Sequence, residues 1–136
     1  MGNAFVVSDP VELLALQQVF QEAKFSSDGA DADIAHSPVV SRLFERLIAT
    51  LMANDIDRGG DGAQARWAQW LLLDETRTEW AVAVRRASSH AQWGALSPHQ
   101  RAEYVQVLLS PFTLPPEGID RFLRVVGHAN QARFPS

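Results

Sequence analysis

Cysteine is absent from this 136-residue chain. That single absence excludes disulfides, thiolate zinc sites, iron–sulfur clusters and cysteine nucleophiles. Lysine is nearly absent: Lys24 stands alone against eleven arginines. Arginine in place of lysine, together with abundant alanine, suggests translation from a GC-rich bacterial genome. There is no basic excess, since sixteen acidic residues against twelve basic ones give a net charge of −4. An acidic balance speaks against a nucleic-acid footprint and against an electrostatic membrane binder. No apolar run approaches the ~20 residues of a membrane span. The apolar Phe5-Val6-Val7 has no basic region ahead of it, so no signal peptide is expected. Val6 also stands where an N-myristoylation motif needs Ser or Thr. A cytoplasmic location is the resulting expectation. No strand-like alternation persists over a useful length, and no internal repeat is convincing.

Hydrophobic residues make up 46% of the chain, enough for a real core in one domain of this length. The helix signals are strong. Asp9-Pro10-Val11-Glu12 supplies an N-cap, a proline at the first helical position and a glutamate at the third. It predicts a helix from about Pro10 to Lys24, with Leu13, Leu16, Val19, Phe20 and Ala23 inward. Residues 26–35 read as an Asp-rich loop. Ser37-Pro38 starts a second helix, to about Asn54, whose stripe is Val40, Leu43, Phe44, Leu47, Ile48, Leu51 and Met52. The glycines and aspartates of 55–62 make a connection.

From Ala63 the apolar residues Trp67, Trp70, Leu71, Leu72 and Leu73 point all round a helix. A helix apolar on every side is a buried one. Residues 63–74 are therefore predicted to form the central helix. Whether 63–87 is one helix or two, broken near Asp74, stays open. Ser97-Pro98-His99-Gln100 opens a further helix with Ala102, Tyr104, Val105, Leu108 and Leu109 inward. The last helix is expected from about Pro116 to Val126, closed by Gly127 as C-cap.

The chemistry-bearing motifs are incomplete. Asp55, Asp57, Gly60 and Asp61 resemble the front of a calcium loop, but its twelfth position is Arg66 and its fifth is Gly59. Asp28, Asp31 and Asp33 lack a terminal acid at the required spacing. The histidines, 36, 90, 99 and 128, form no metal-binding pair and read as surface residues. No nucleophile elbow or phosphate loop is present. A helix–turn–helix reading of the last two helices is opposed by the charge. No catalytic, cofactor or metal residue is assigned. Trp67, Trp70 and Trp80 read as core, whereas Trp93 in a loop is either an anchor or an interface contact.

The expectation is an all-α, compact five- to six-helix bundle around the buried helix at about 63–74. It forms a single domain over 1–136, with an N-terminal arm (1–8) and a loose tail (128–136). By elimination, the leading function is a non-enzymatic protein–protein interaction module: an adaptor, inhibitor, immunity-type or chaperone protein acting on a protein partner, with homo-oligomerisation open. Trp93, Leu96, Phe112 and Leu114 form the candidate interface, because they combine apolar side chains with restricted backbone at the two ends of one helix. The alternative is an enzyme or small-ligand-binding bundle with a site between helices. A flat surface with an exposed aromatic–proline patch would favour the module. A cavity with two or more convergent carboxylates or histidines would favour the alternative.

Overall fold

The computed structural model describes residues 2–26 and 32–135; Asp28 and Asp31 lie outside them. The described chain is all-α, with seven helices: α1 (Pro10–Phe25), α2 (Ala32–Ala35), α3 (Pro38–Asp57), α4 (Ala63–Leu71), α5 (Thr78–Ser88), α6 (Pro98–Leu109) and α7 (Gly118–Arg133). A single 3₁₀ turn, Trp93–Ala95, precedes α6. Among the described residues none belongs to a named strand. One isolated parallel bridge joins Leu72 to Thr113. No helix there is long and apolar enough to cross a membrane.

The three residue-before-proline starts behave as local chemistry dictates. Asp9 Oδ1 accepts the Val11 N–H at 2.9 Å and Ser37 Oγ accepts that of Val40 at 3.2 Å. Ser97 and Gln100 close a full capping box, with both bonds present at 3.1 and 2.9 Å. Each cap supplies an acceptor to an otherwise orphaned N–H, a contribution of ~1 kcal/mol. The helices then pack α1 on α3, α3 on α4, and α5 on both α6 and α7. Their shared core holds Phe44, Leu73, Val105, Leu108, Phe122 and Val126. Phe20 stacks on Phe44 at 5.3 Å between ring centroids, and Trp80 meets Phe122 edge-on at 5.4 Å.

Two expectations are corrected here. Residues 63–74 do not form a buried central helix. The helix ends at Leu71, and Ala63 is its one buried residue. Leu72 is extended (φ −81°, ψ 118°), so the apolar run leaves helical spacing and alternates instead. Leu72 turns outward at 45% exposure while Leu73 is fully buried at 0%. Three consecutive leucines thus split between solvent and core, where an uninterrupted helix would have had to hide them all. The break also settles the division of 63–87 into two helices. Asp74 Oδ1 accepts the Thr76 N–H at 2.9 Å, fixing the turn before α5.

The second correction concerns the C-terminus. Gly127 is inside α7, and the helix runs on to Arg133 where a loose tail was predicted from His128. Asn130 supplies the reason. Its side chain is buried, and its Nδ2 donates to Ser88 O at 2.9 Å and His90 O at 2.8 Å. Those carbonyls close the C-terminal end of α5, so α7 is extended by satisfying the end of another helix.

Candidate functional site

A cleft of about 430 Å³ opens beside the end of α5, lined by His36, Arg86, Ser89, His90, Ala91, Gln92 and Tyr104. Three segments build it. His36 stands in the turn between α2 and α3, just ahead of the Ser37 cap. Arg86 occupies the last turn of α5, and His90 follows the C-cap Ser89. Tyr104 comes from the middle of α6.

Tyr104 is the hub. His36 lies 4.8 Å from it between ring centroids and His90 5.0 Å, the latter edge-on at 82°. Its hydroxyl lies 2.7 Å from His36 Nε2, a hydrogen bond available to either tautomer of a neutral ring. Burial pushes the Tyr104 hydroxyl up to about 12, so it keeps its proton. Burial pushes His36 the other way, below its ordinary value, and the positive charge of Arg86 adds to that. Asp33 is the one acid that opposes the shift. The Gln92 N–H points at His90 Nδ1 at 3.0 Å. That bond places the ring proton on Nε2, leaving it a donor.

Arg86 is held from behind. Its Nη1 donates to Lys24 O and its Nη2 to Ser26 O at 2.9 Å, where α1 ends. The guanidinium is thereby fixed beside the two imidazoles, and among the described residues no carboxylate forms an ion pair with it. The cleft accordingly combines a fixed positive charge, imidazole N–H groups and a protonated phenol. It offers more donors than acceptors.

Beneath this site lies a second polar cluster that no motif announced. Lys24 is 1% exposed. Its Nζ donates to Ser41 Oγ at 2.8 Å, Val107 O at 3.0 Å and Ser110 O. Three acceptors match the three donors of an ammonium. Burial nevertheless drives its pKa down to about 7, against the pull of Glu45 and with the push of Arg86. Ser110 Oγ in turn donates to Glu45. The cluster joins the end of α1 to α3 and to the end of α6.

The residues singled out from the sequence are distributed differently. Trp93 and Phe112 are both 3% exposed and belong to the core, so they present no side-chain surface to a partner. Trp93 meets Tyr104 edge-on at 6.3 Å and carries the Arg101 guanidinium over its ring at 5.4 Å. Phe112 is enclosed by Phe25, Trp70 and the Arg77 guanidinium. Leu96 and Leu114 are half-buried against the same core. Restricted backbone at these positions serves packing. His36 and His90 read as surface histidines in sequence and are instead half-buried. His99 pairs with Glu103 at 2.7 Å on exposed helix. Among the described residues no three His, Asp or Glu side chains gather as a metal site. Asp55, from the calcium-like loop, accepts the indole N–H of Trp67 at 2.7 Å.

Comparison with known protein families, with curated proteins and with solved structures gives no match to this chain, so its site is defined by its own geometry.

Proposed function

We propose that this chain is a small-ligand-binding helical bundle whose ligand is a small organic anion, held in the cleft between the His36 turn, α5 and α6. The observation that carries the proposal is the convergence of His36, His90 and Arg86 around Tyr104 in one open cleft. Arg86 supplies a fixed positive charge there, and burial, with Arg86 adding to it, holds His36 below its ordinary value. An anion balances the Arg86 charge and can accept from the imidazole N–H groups. The apolar flanks provided by Ala91 and the aromatic rings suit an organic body. A volume of about 430 Å³ is within the usual range of ligand pockets, ~300–1,000 Å³.

The test is a titration of the protein with benzoate, and with benzyl alcohol as a neutral comparator, followed by the imidazole resonances of His36 and His90. Benzoate is expected to shift both saturably and to raise the pKa of His36, and benzyl alcohol to do neither. The absence of a saturable shift with benzoate up to about 10 mM, the weak end of specific affinity, overturns the reading.

A second reading, an interaction module acting through its surface, draws on the N-terminal arm. Phe5 and Val6 stand exposed ahead of α1. Sedimentation of the protein beside Phe5→Ser tests whether the arm joins copies of the chain.

A further inference from the structure

A second cleft, of about 280 Å³, lies between α1, α3 and α4 and is lined by Gln17, Asp55, Arg66, Trp67 and Trp70. We infer that it is a binding site for a small zwitterion of the amino-acid or betaine type, its ammonium toward Asp55 and the two indoles and its carboxylate toward Arg66. This proposal is independent of the anion cleft.

Trp67 and Trp70 are three apart on α4, the spacing that places side chains on one face. Their rings meet at 81° with centroids 5.4 Å apart, forming an aromatic corner. Indole faces attract ammonium groups, methylated ones included. Asp55 is in the last turn of α3, where the helix carbonyls add negative potential to its carboxylate. Its Oδ2 accepts the Trp67 Nε1–H at 2.7 Å, which holds carboxylate and ring in one orientation. Arg66 is exposed and folds back on the preceding turn, donating from Nη1 to Asp61 O at 2.9 Å.

Asp55 and Arg66 therefore line one cleft, each fixed by a different neighbour, and form no ion pair with each other. Opposite charges held apart across a cleft match a ligand that carries both. A divalent metal is disfavoured by the guanidinium, and a dication for the same reason. The volume, at the lower edge of the usual pocket range, selects a ligand of few heavy atoms.

The experiment uses glycine betaine as probe and choline, which lacks the carboxylate, as comparator. Calorimetry gives the affinities, and the indole N–H resonance of Trp67, assigned with Trp67→Phe, reports occupancy. Betaine is expected to bind saturably in the millimolar range and to shift that resonance, with Asp55→Asn and Arg66→Gln each weakening it by about tenfold. Choline is expected to bind more weakly than betaine. Asparagine still accepts the indole N–H and Arg66 is exposed, so circular dichroism should show both variants folded. Three results overturn the inference: no saturable betaine binding, variants that bind as the parent does, or choline binding as tightly as betaine.

Discussion

Lys24 gives the fold a pH dependence that can be worked out in advance. Unfolded, its ammonium titrates near 10.5; folded, burial brings it to about 7. Between those values the unfolded chain binds a proton that the folded chain lacks. Stability must then rise with pH, by at most ~1.4 kcal/mol per pH unit for one proton. From pH 7.5 to 9.5 the expected gain is about 2 kcal/mol. The window is chosen to isolate this group from His36 and Tyr104, two of the other shifted groups of the candidate site. His36, lowered from 6.5, adds stability as pH rises, but that gain is complete below the window. Tyr104, raised to about 12, costs stability only above its unfolded value of 10.0. Urea unfolding of the parent and of Lys24→Met at half-unit steps makes the measurement. Lys24→Met should show a flat curve over the window and should gain on the parent as pH falls toward 6.5. A parent curve that is flat or falling would refute the reasoning. It would mean that the three acceptors hold the ammonium as well as water does.

Leu72→Asp should cost under about 1 kcal/mol, because its side chain is half in solvent, whereas Leu73→Asp should prevent folding; equal costs in thermal melts would show that the break after Leu71 is misplaced. Trp93→Ala should destabilise by ~3–5 kcal/mol in urea, the price of a buried aromatic, and a near-neutral result would return Trp93 to the surface. Gly127→Ala should stabilise by about 0.5–1 kcal/mol, since nothing lies within 4 Å of the added methyl inside α7. Loss of stability there would indicate the left-handed C-cap that the sequence suggested.

What the sequence made legible is what adjacent residues decide between themselves. The starts of α1, α3 and α6 each depend on a cap and the proline beside it, and all three lie where the spacing placed them. Leu71 to Leu73 went wrong because apolar residues in a row do not show their period. Helix and extended chain fit the run equally, and the bond from Thr113 N–H to Leu71 O, formed with a distant segment, favours the extended one. Gly127 went wrong for a related reason: its helix is prolonged by Asn130 reaching α5, a contact no local rule contains. The candidate site was least legible of all. His36, Arg86, His90 and Tyr104 have no common motif and come together only through the packing of the α2–α3 turn, α5 and α6. Lys24 did carry a signal, since it stands four residues after Phe20 and eleven after Leu13, on the face of α1 that the helix period turns inward.

The bridge at Leu72 has a mechanical meaning. Leu73 N–H donates to Thr113 O at 2.8 Å and Thr113 N–H to Leu71 O at 2.9 Å, so the end of α4 is clasped to the α6–α7 connector. Its other end begins at Gly62, with φ +79° and no side-chain cap. Near its start the helix is held by buried Ala63 and by the Trp67–Asp55 bond, so α4 should peel open from Gly62 toward Leu71 when that bond breaks. Amide exchange would then run fast at Arg66 and slow at Leu73 and Thr113. Trp67, on the peeling side, would swing with it, whereas Trp70, a turn nearer the clasp and packed on Phe112, would stay. The aromatic corner thus has one fixed wall and one that can give way.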